Sequence, residues 1–240
     1  MNFNSEKFLK EGKYTLEKLK FKVSNPTAIQ FFEPKAEHIE LIEDILLNLF
    51  ESYNKVELYD TLRFSLRELI QNAWNLNLKF LLFRKNNLDI SDFKDYIKGI
   101  RLFKSLINNR SYDEISKDVY NFNYWIKFYA FLSEHGIKFE IINNTPILPI
   151  EEKNLRLRLK LASACANLIE LYNEGKFDSD DDKIGLAFII FLLKKANIDP
   201  DLFRIGNVGG SSRARIEIPL SHLYVPERKK FLKRENLYLF

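Results

Sequence analysis

The sequence predicts an α/β (α+β) chain: a two-layer sandwich in which helices cover one face of a mixed β-sheet. Three observations carry this. Long segments repeat apolar residues at three- and four-residue steps, the period of a helix face. Shorter segments are continuously apolar or alternate, as strands do. The two kinds come in the order helix, helix, strand, helical insert, hairpin, helix, helix, hairpin, and an apolar stripe and an apolar sheet face must bury against one another.

The elements follow in order. Residues 1–24 are polar and Lys-rich with scattered Leu and Phe, and read as a loosely attached helix. Asn25-Pro26-Thr27 is a turn signal, and Ala28-Ile29-Gln30-Phe31-Phe32 reads as a short strand stopped by Pro34. In 36–53 the stripe Ile39, Ile42, Ile45, Leu46, Leu49 predicts a helix. A second helix, from about Leu58 to Leu76, carries Leu62, Leu66, Leu69 and Ala73 on one face. Lys79-Phe80-Leu81-Leu82-Phe83 then reads as a buried strand.

Residues 86–122 read as a helical insert. Asp89-Ile90-Ser91-Asp92 offers N-caps, and Phe93, Ile97, Ile100, Phe103 and Leu106 give a face. Tyr124 to Leu132, the turn Glu134-His135-Gly136 and the alternation Ile137–Ile141 predict a hairpin. Residues 150–174 alternate Leu with Arg and Lys as a strand would. They are nonetheless strong helix formers, open with Glu151 and Glu152 where a helix dipole wants them, and outrun any strand. Helix is the favoured reading. Residues 173–182 read as an acidic loop, 184–196 as a central core helix, and 203–207 with 213–219 as two strands. The basic last twenty residues read as peripheral. The chain divides into an N-terminal extension (1–35), a main body (36–220, insert at 86–122) and a basic tail (221–240).

Composition narrows the classes. The chain has 240 residues, 46% hydrophobic and 29% charged, which is ordinary for a folded globular protein. Its 37 basic and 33 acidic residues give a net charge of only +4, which does not mark a nucleic-acid binder. The lone Cys165 excludes internal disulfides and fits a reducing compartment. The N-terminus lacks the basic start and apolar core of a signal peptide, and no apolar run reaches a membrane span. The expectation is a cytoplasmic protein. His38, His135 and His222 are scattered and make no metal set with Cys165. His38 reads as a surface histidine and Cys165 as an inert core thiol.

Three segments carry the chemistry. Glu68-Leu69-Ile70-Gln71-Asn72-Ala73 places a carboxylate and an amide one helical turn apart on one face. Lys183-Ile184-Gly185-Leu186 puts a glycine at a helix start, where backbone N–H groups can meet phosphate. Gly209-Gly210-Ser211-Ser212, followed by Arg213 to Leu220, is a turn and a strand. In this order they resemble the N, G1 and G2 boxes of the histidine-kinase-like ATPases, the GHKL or Bergerat-fold group, over about residues 36–220.

The resemblance implies an ATP-binding domain. Glu68 matches the residue that polarises water or orients the phosphoacceptor, and Asn72 matches the Mg²⁺ ligand. Lys79 resembles the basic residue facing the phosphates, and Gly185 the phosphate-loop glycine. Lys183 replaces the first glycine of that box. Ser211 falls in the G2 box. The adenine-binding motif Asp-x-Gly-x-Gly-Ile is represented by Asn143, with Thr145 and Ile147 at its glycines. An Asn carbonyl still accepts from an adenine amino group. A bacterial branch of the family carries Asn here, with a comparable insert. The implied cofactors are Mg²⁺ and ATP, and the implied setting is bacterial signalling. No His-Glu-x-x-x-Pro phosphoacceptor motif is present. Thr145, Ile147 and Lys183 support an alternative: a module that keeps the fold, fills its nucleotide pocket and regulates a protein partner through the insert. A third reading, a weak nucleic-acid binder using the basic tail, lacks an accompanying aromatic pattern.

Overall fold

The computed structural model describes residues 8–9, 26–109, 112–174 and 184–230. In chain order the elements are β1 (Phe8–Leu9), β2 (Thr27–Phe31), α1 (Ala36–Ser52), α2 (Tyr59–Lys85), α3 (Phe93–Asn109), α4 (Tyr112–Asn121), β3 (Ile126–Ser133), β4 (Gly136–Asn143), α5 (Pro149–Ala164), α6 (Leu168–Glu174), α7 (Ile184–Lys195), β5 (Phe203–Val208) and β6 (Ser211–Pro219). The sheet order is β1-β2-β3-β4-β6-β5. Its five strands from β2 to β5 pair antiparallel, and β1 joins β2 in parallel. The sheet is therefore mixed. Phe8–Leu9, placed by the sequence in a helix, form this short edge strand. The rest of 1–24 lies outside the described residues.

Period-2 alternation sorts the strands. Ile126, Phe128 and Ala130 of β3, Ile137, Phe139 and Ile141 of β4, and Ala214, Ile216 and Ile218 of β6 are all buried. The cross-strand register Phe128↔Ile141 and Ile141↔Ala214 puts them on one face. Helices cover that face: α2 packs on β3 and β4, and the Phe50 ring of α1 meets Phe139 with 6.3 Å between centroids. The opposite face carries Lys138, Glu140, Arg215 and Glu217.

A second element differs from expectation. Lys79–Phe83 is no strand, because α2 runs unbroken from Tyr59 to Lys85. No Gly or Pro interrupts that stretch. Leu78, Leu81 and Phe83 are all at most 1% exposed, so this second half of α2 is a core helix on more than one side. Each such side chain contributes roughly 1.5–3 kcal/mol relative to exposure. A short apolar run of this kind has no period that separates strand from helix.

The insert is helical, as α3 and α4, and 149–164 is the helix α5. α3 docks on α2 so closely that a Cβ on Gly99 would run into the Phe83 ring. Cys165 is buried. His38 is not a surface residue: it is 9% exposed, stacks on Phe31 at 4.9 Å, and its Nδ1 accepts from the Lys35 N–H at 3.2 Å. The described part of the tail is anchored. Tyr224 donates to Glu217 Oε2 at 2.6 Å, and the Glu227 N–H donates to the same oxygen at 2.9 Å. No helix among the described residues is long and apolar enough to cross a membrane.

Candidate functional site

A cavity of about 310 Å³ opens between α2 and the ends of β4 and β6, within the size range of small-molecule sites. α2 supplies Leu69, Asn72, Ala73, Leu76 and Lys79; the insert helix α3 adds Tyr96, Ile100, Phe103 and Lys104. α5 contributes Glu151, Asn154, Leu155 and Arg158, and the sheet contributes Ile141, Asn143, Ile205, Ser212 and Ala214. Among the described residues its charged lining is Lys79, Lys104 and Arg158 against Glu151, a balance that favours an anionic ligand.

At one side stands Asn72; Glu68, its partner one turn earlier, and Gly185 are not among the residues that line the cavity. Asn72 Nδ2 donates to Glu68 Oε1 at 2.7 Å and to the Glu68 carbonyl at 2.8 Å. Both bonds engage the amide nitrogen, and among the described residues none donates to Asn72 Oδ1. An amide oxygen is of the type that hard cations take as a ligand. Glu68 also touches the start of α7, where its carboxylate occupies the space a side chain at 185 would need. A side chain there would have to displace the Glu68 carboxylate, so two segments far apart in sequence meet at this point. Lys183 lies outside the described residues, as do residues 175–182 of the acidic loop.

Lys79 lies within α2, not beyond it, and lines the cavity. Its Nζ sits 2.6 Å from Glu151 Oε1, with the two side chains 12% and 10% exposed, and lies 5.0 Å from the Phe103 ring centroid. Tyr96 is held to the same carboxylate. Burial, then the charge and hydrogen bond of Glu151, push the Tyr96 hydroxyl up to about 12. A neutral phenol, a carboxylate and an ammonium thus join α3, α5 and α2 at one wall.

At the other end is a buried polar network. The sheet register places Asn143, Ser212 and Asn207 in one row facing the helices. Asn143 Nδ2 donates to Thr145 Oγ1 at 2.6 Å, to the Thr145 carbonyl at 3.1 Å and to Asn77 Oδ1 at 3.2 Å. Thr145 Oγ1 donates to Asn77 Oδ1 at 2.7 Å, and Ser212 Oγ donates to Asn143 Oδ1. Asn143, Thr145 and Asn77 are at most 2% exposed, so each of these bonds is costly to lose. Thr145 points into this network and is not part of the cavity wall, whereas Ile147 is. Ser211 does not line the cavity; the alternation of β6 gives that place to Ser212.

Two polar side chains that brace the cavity's surroundings were missed in the sequence. Asn77 falls four residues after Ala73, so it continues the buried stripe of α2, and that position was its signal. Asn207 accepts from the Ile147 N–H at 2.6 Å and donates to the Ile147 carbonyl at 3.1 Å, holding the loop before α5 against the sheet. Nothing local in the sequence marks it.

No family model matches the chain. No solved structure matches it either. An uncharacterized protein of Treponema pallidum (strain Nichols) is 28% identical over 162 residues, which is 67% of this chain and 31% of that protein. The chain therefore spans about a third of the length of the curated relative it matches.

Proposed function

We propose that this chain is a nucleotide-binding domain similar to the histidine-kinase-like ATPases, taking Mg²⁺-ATP in the cavity between α2, α3 and the end of the sheet. The observation that carries the reading is the convergence on one cavity of Asn72, Lys79, Asn143 and Ser212, with Glu68 fixed beside Asn72. These residues are separated by up to 140 positions in the chain, and three of them, Asn72, Lys79 and Asn143, are ones to which the resemblance gives nucleotide roles.

The donor set fits the ligand. Asn72 Oδ1 would hold Mg²⁺, which needs only one or two protein oxygens because phosphates and water supply the rest. The ion neutralises charge on the phosphates when bound. Lys104 and Arg158, with Lys79 shared with Glu151, are the cations that line the cavity beside the anion. Leu76, Ile141, Ile147, Leu186 and Ala214 give a base its apolar walls. Asn143 Oδ1 keeps a second lone pair beside its bond from Ser212 and can accept from an adenine amino group. Glu68, bonded to Asn72, would take a proton from an attacking water or hydroxyl. Signalling by phosphate transfer or nucleotide-dependent regulation is the role this chemistry serves, in a cytoplasmic setting.

Calorimetric titration with Mg²⁺-ATP tests the reading on wild type, Asn72→Ala and Asn143→Ala. Binding in wild type, lost or weakened at least tenfold in both variants, is the expected result. No heat with any of the three proteins would instead support the regulatory module without a nucleotide.

A further inference from the structure

We infer that Asn77, which never reaches the cavity, sets which purine the site accepts by fixing the rotation of the Asn143 amide; the inference rests on the nucleotide reading above. An asparagine side chain presents an acceptor on one side and a donor on the other, and a half-turn exchanges them. At Asn143 that half-turn is blocked. One neighbour of its Nδ2 is the Thr145 backbone carbonyl, at 3.1 Å, which can only accept. Another is Asn77 Oδ1, at 3.2 Å. Asn77 Oδ1 is itself fixed as an acceptor, because the Thr145 hydroxyl donates to it at 2.7 Å and the Asn77 amide nitrogen lies 3.4 Å from the Trp125 carbonyl. Rotating Asn143 would press an oxygen against two acceptors inside a region no more than 2% exposed.

The consequence reaches the cavity. With Nδ2 pinned inward, Asn143 must show Oδ1 toward Ser212 and the lining, and Ser212 spends its proton on that oxygen. Both cavity-edge groups then act as acceptors. A 6-amino purine offers a donor to them; a 6-oxo purine offers an oxygen and is repelled. Asn77 and Thr145 are thus positioning residues for base choice, acting from behind the wall.

The test compares Mg²⁺-ATP with Mg²⁺-ITP, which differs by the 6-oxo group, on the full chain. Wild type, Asn77→Leu, Thr145→Val and Thr145→Ser are titrated by calorimetry. Wild type should prefer ATP about tenfold or more, the scale of one hydrogen bond plus an unpaired acceptor. Asn77→Leu and Thr145→Val each remove one partner of the Asn143 amide and leave the Thr145 carbonyl as the remaining lock, so each should reduce that preference about threefold, while Thr145→Ser, which keeps the hydroxyl, should preserve it. Should Asn77→Leu not fold, the Asn143 side-chain amide in ¹⁵N-labelled wild type gives a second readout. Its two protons should exchange with solvent at least several-fold more slowly in wild type than in Thr145→Val, and equal rates in the two proteins overturn the inference. Equal affinity of wild type for both nucleotides, or parallel weakening with the ratio intact, overturns it and leaves the ATP reading standing. Failure of wild type to bind either nucleotide removes the ATP reading and this inference with it.

Discussion

The Glu68 carboxylate lies against the backbone of Gly185, in the space that any other residue at 185 would fill with its Cβ. The atoms it would displace are the far end of a side chain, not backbone. Gly185→Ala is therefore expected to leave the fold nearly intact and to push Glu68 out of its bond with Asn72. Gly206 is the control, since a Cβ there meets only Arg156 Nη2 at 3.8 Å. Melting temperatures of both alanine variants should stay within about 2–4 °C of wild type. Mg²⁺-ATP binding, measured by calorimetry, should fall at least tenfold in Gly185→Ala only.

The Lys79–Glu151 pair should behave as a nearly buried ion pair. Removing one partner leaves the other charge poorly solvated, which typically costs about 3–5 kcal/mol. Glu151→Ala is expected near the low end, about 3 kcal/mol by urea denaturation, because both groups keep a little exposure. The double variant Lys79→Met/Glu151→Leu should recover most of that loss. Losses that simply add would show that the two side chains do not interact.

Tyr96 links stability to alkaline pH. Its folded-state value is raised to about 12 from 10, so the fold favours the neutral phenol. That contribution is fully present below pH 10 and is lost as pH rises from 10 toward 12. Unfolding midpoints of wild type should drop more steeply across this window than those of Tyr96→Phe. Parallel curves would mean that Tyr96 ionises as an exposed tyrosine does.

Gly99 tests how firmly the insert is seated. Alanine gains up to about 1 kcal/mol over glycine in a helix. Here its Cβ would strike the Phe83 ring, which is only 1% exposed, and overpacking of this kind costs about 1–3 kcal/mol. The clash should win, leaving Gly99→Ala about 1–2 kcal/mol less stable by urea midpoint. A more stable variant would mean that α3 does not pack on α2 as described.

Much of this fold was legible because its signals are periodic. The stripe from Ile39 to Leu49 became α1, and the alternation through Ile137–Ile141 became a central strand. The helical insert and the helix after Pro149 were legible too, from caps and length. Lys79–Phe83 was misread because a helix buried on several sides loses its polar face, and with it the 3.6-residue period. The site was legible where residues lie one turn apart, as Glu68 and Asn72 do. It was not where partners come from different strands and helices. Asn77 continues the buried stripe of α2, but its polar partners Asn143 and Thr145 are far off in sequence. Ser212 rather than Ser211 faces inward only because the register pairs it with Asn143.

Where a nucleotide sits decides the central claim. ¹⁵N-labelled protein titrated with Mg²⁺ and a non-hydrolysable ATP analogue gives the position directly. Shift changes should concentrate on Leu69–Lys79, Asn143–Glu151, Leu186 and Ser212, and should disappear in Asn72→Ala. Saturation with no change at those residues, or changes confined to Lys138 and Arg215 on the opposite sheet face, would contradict it.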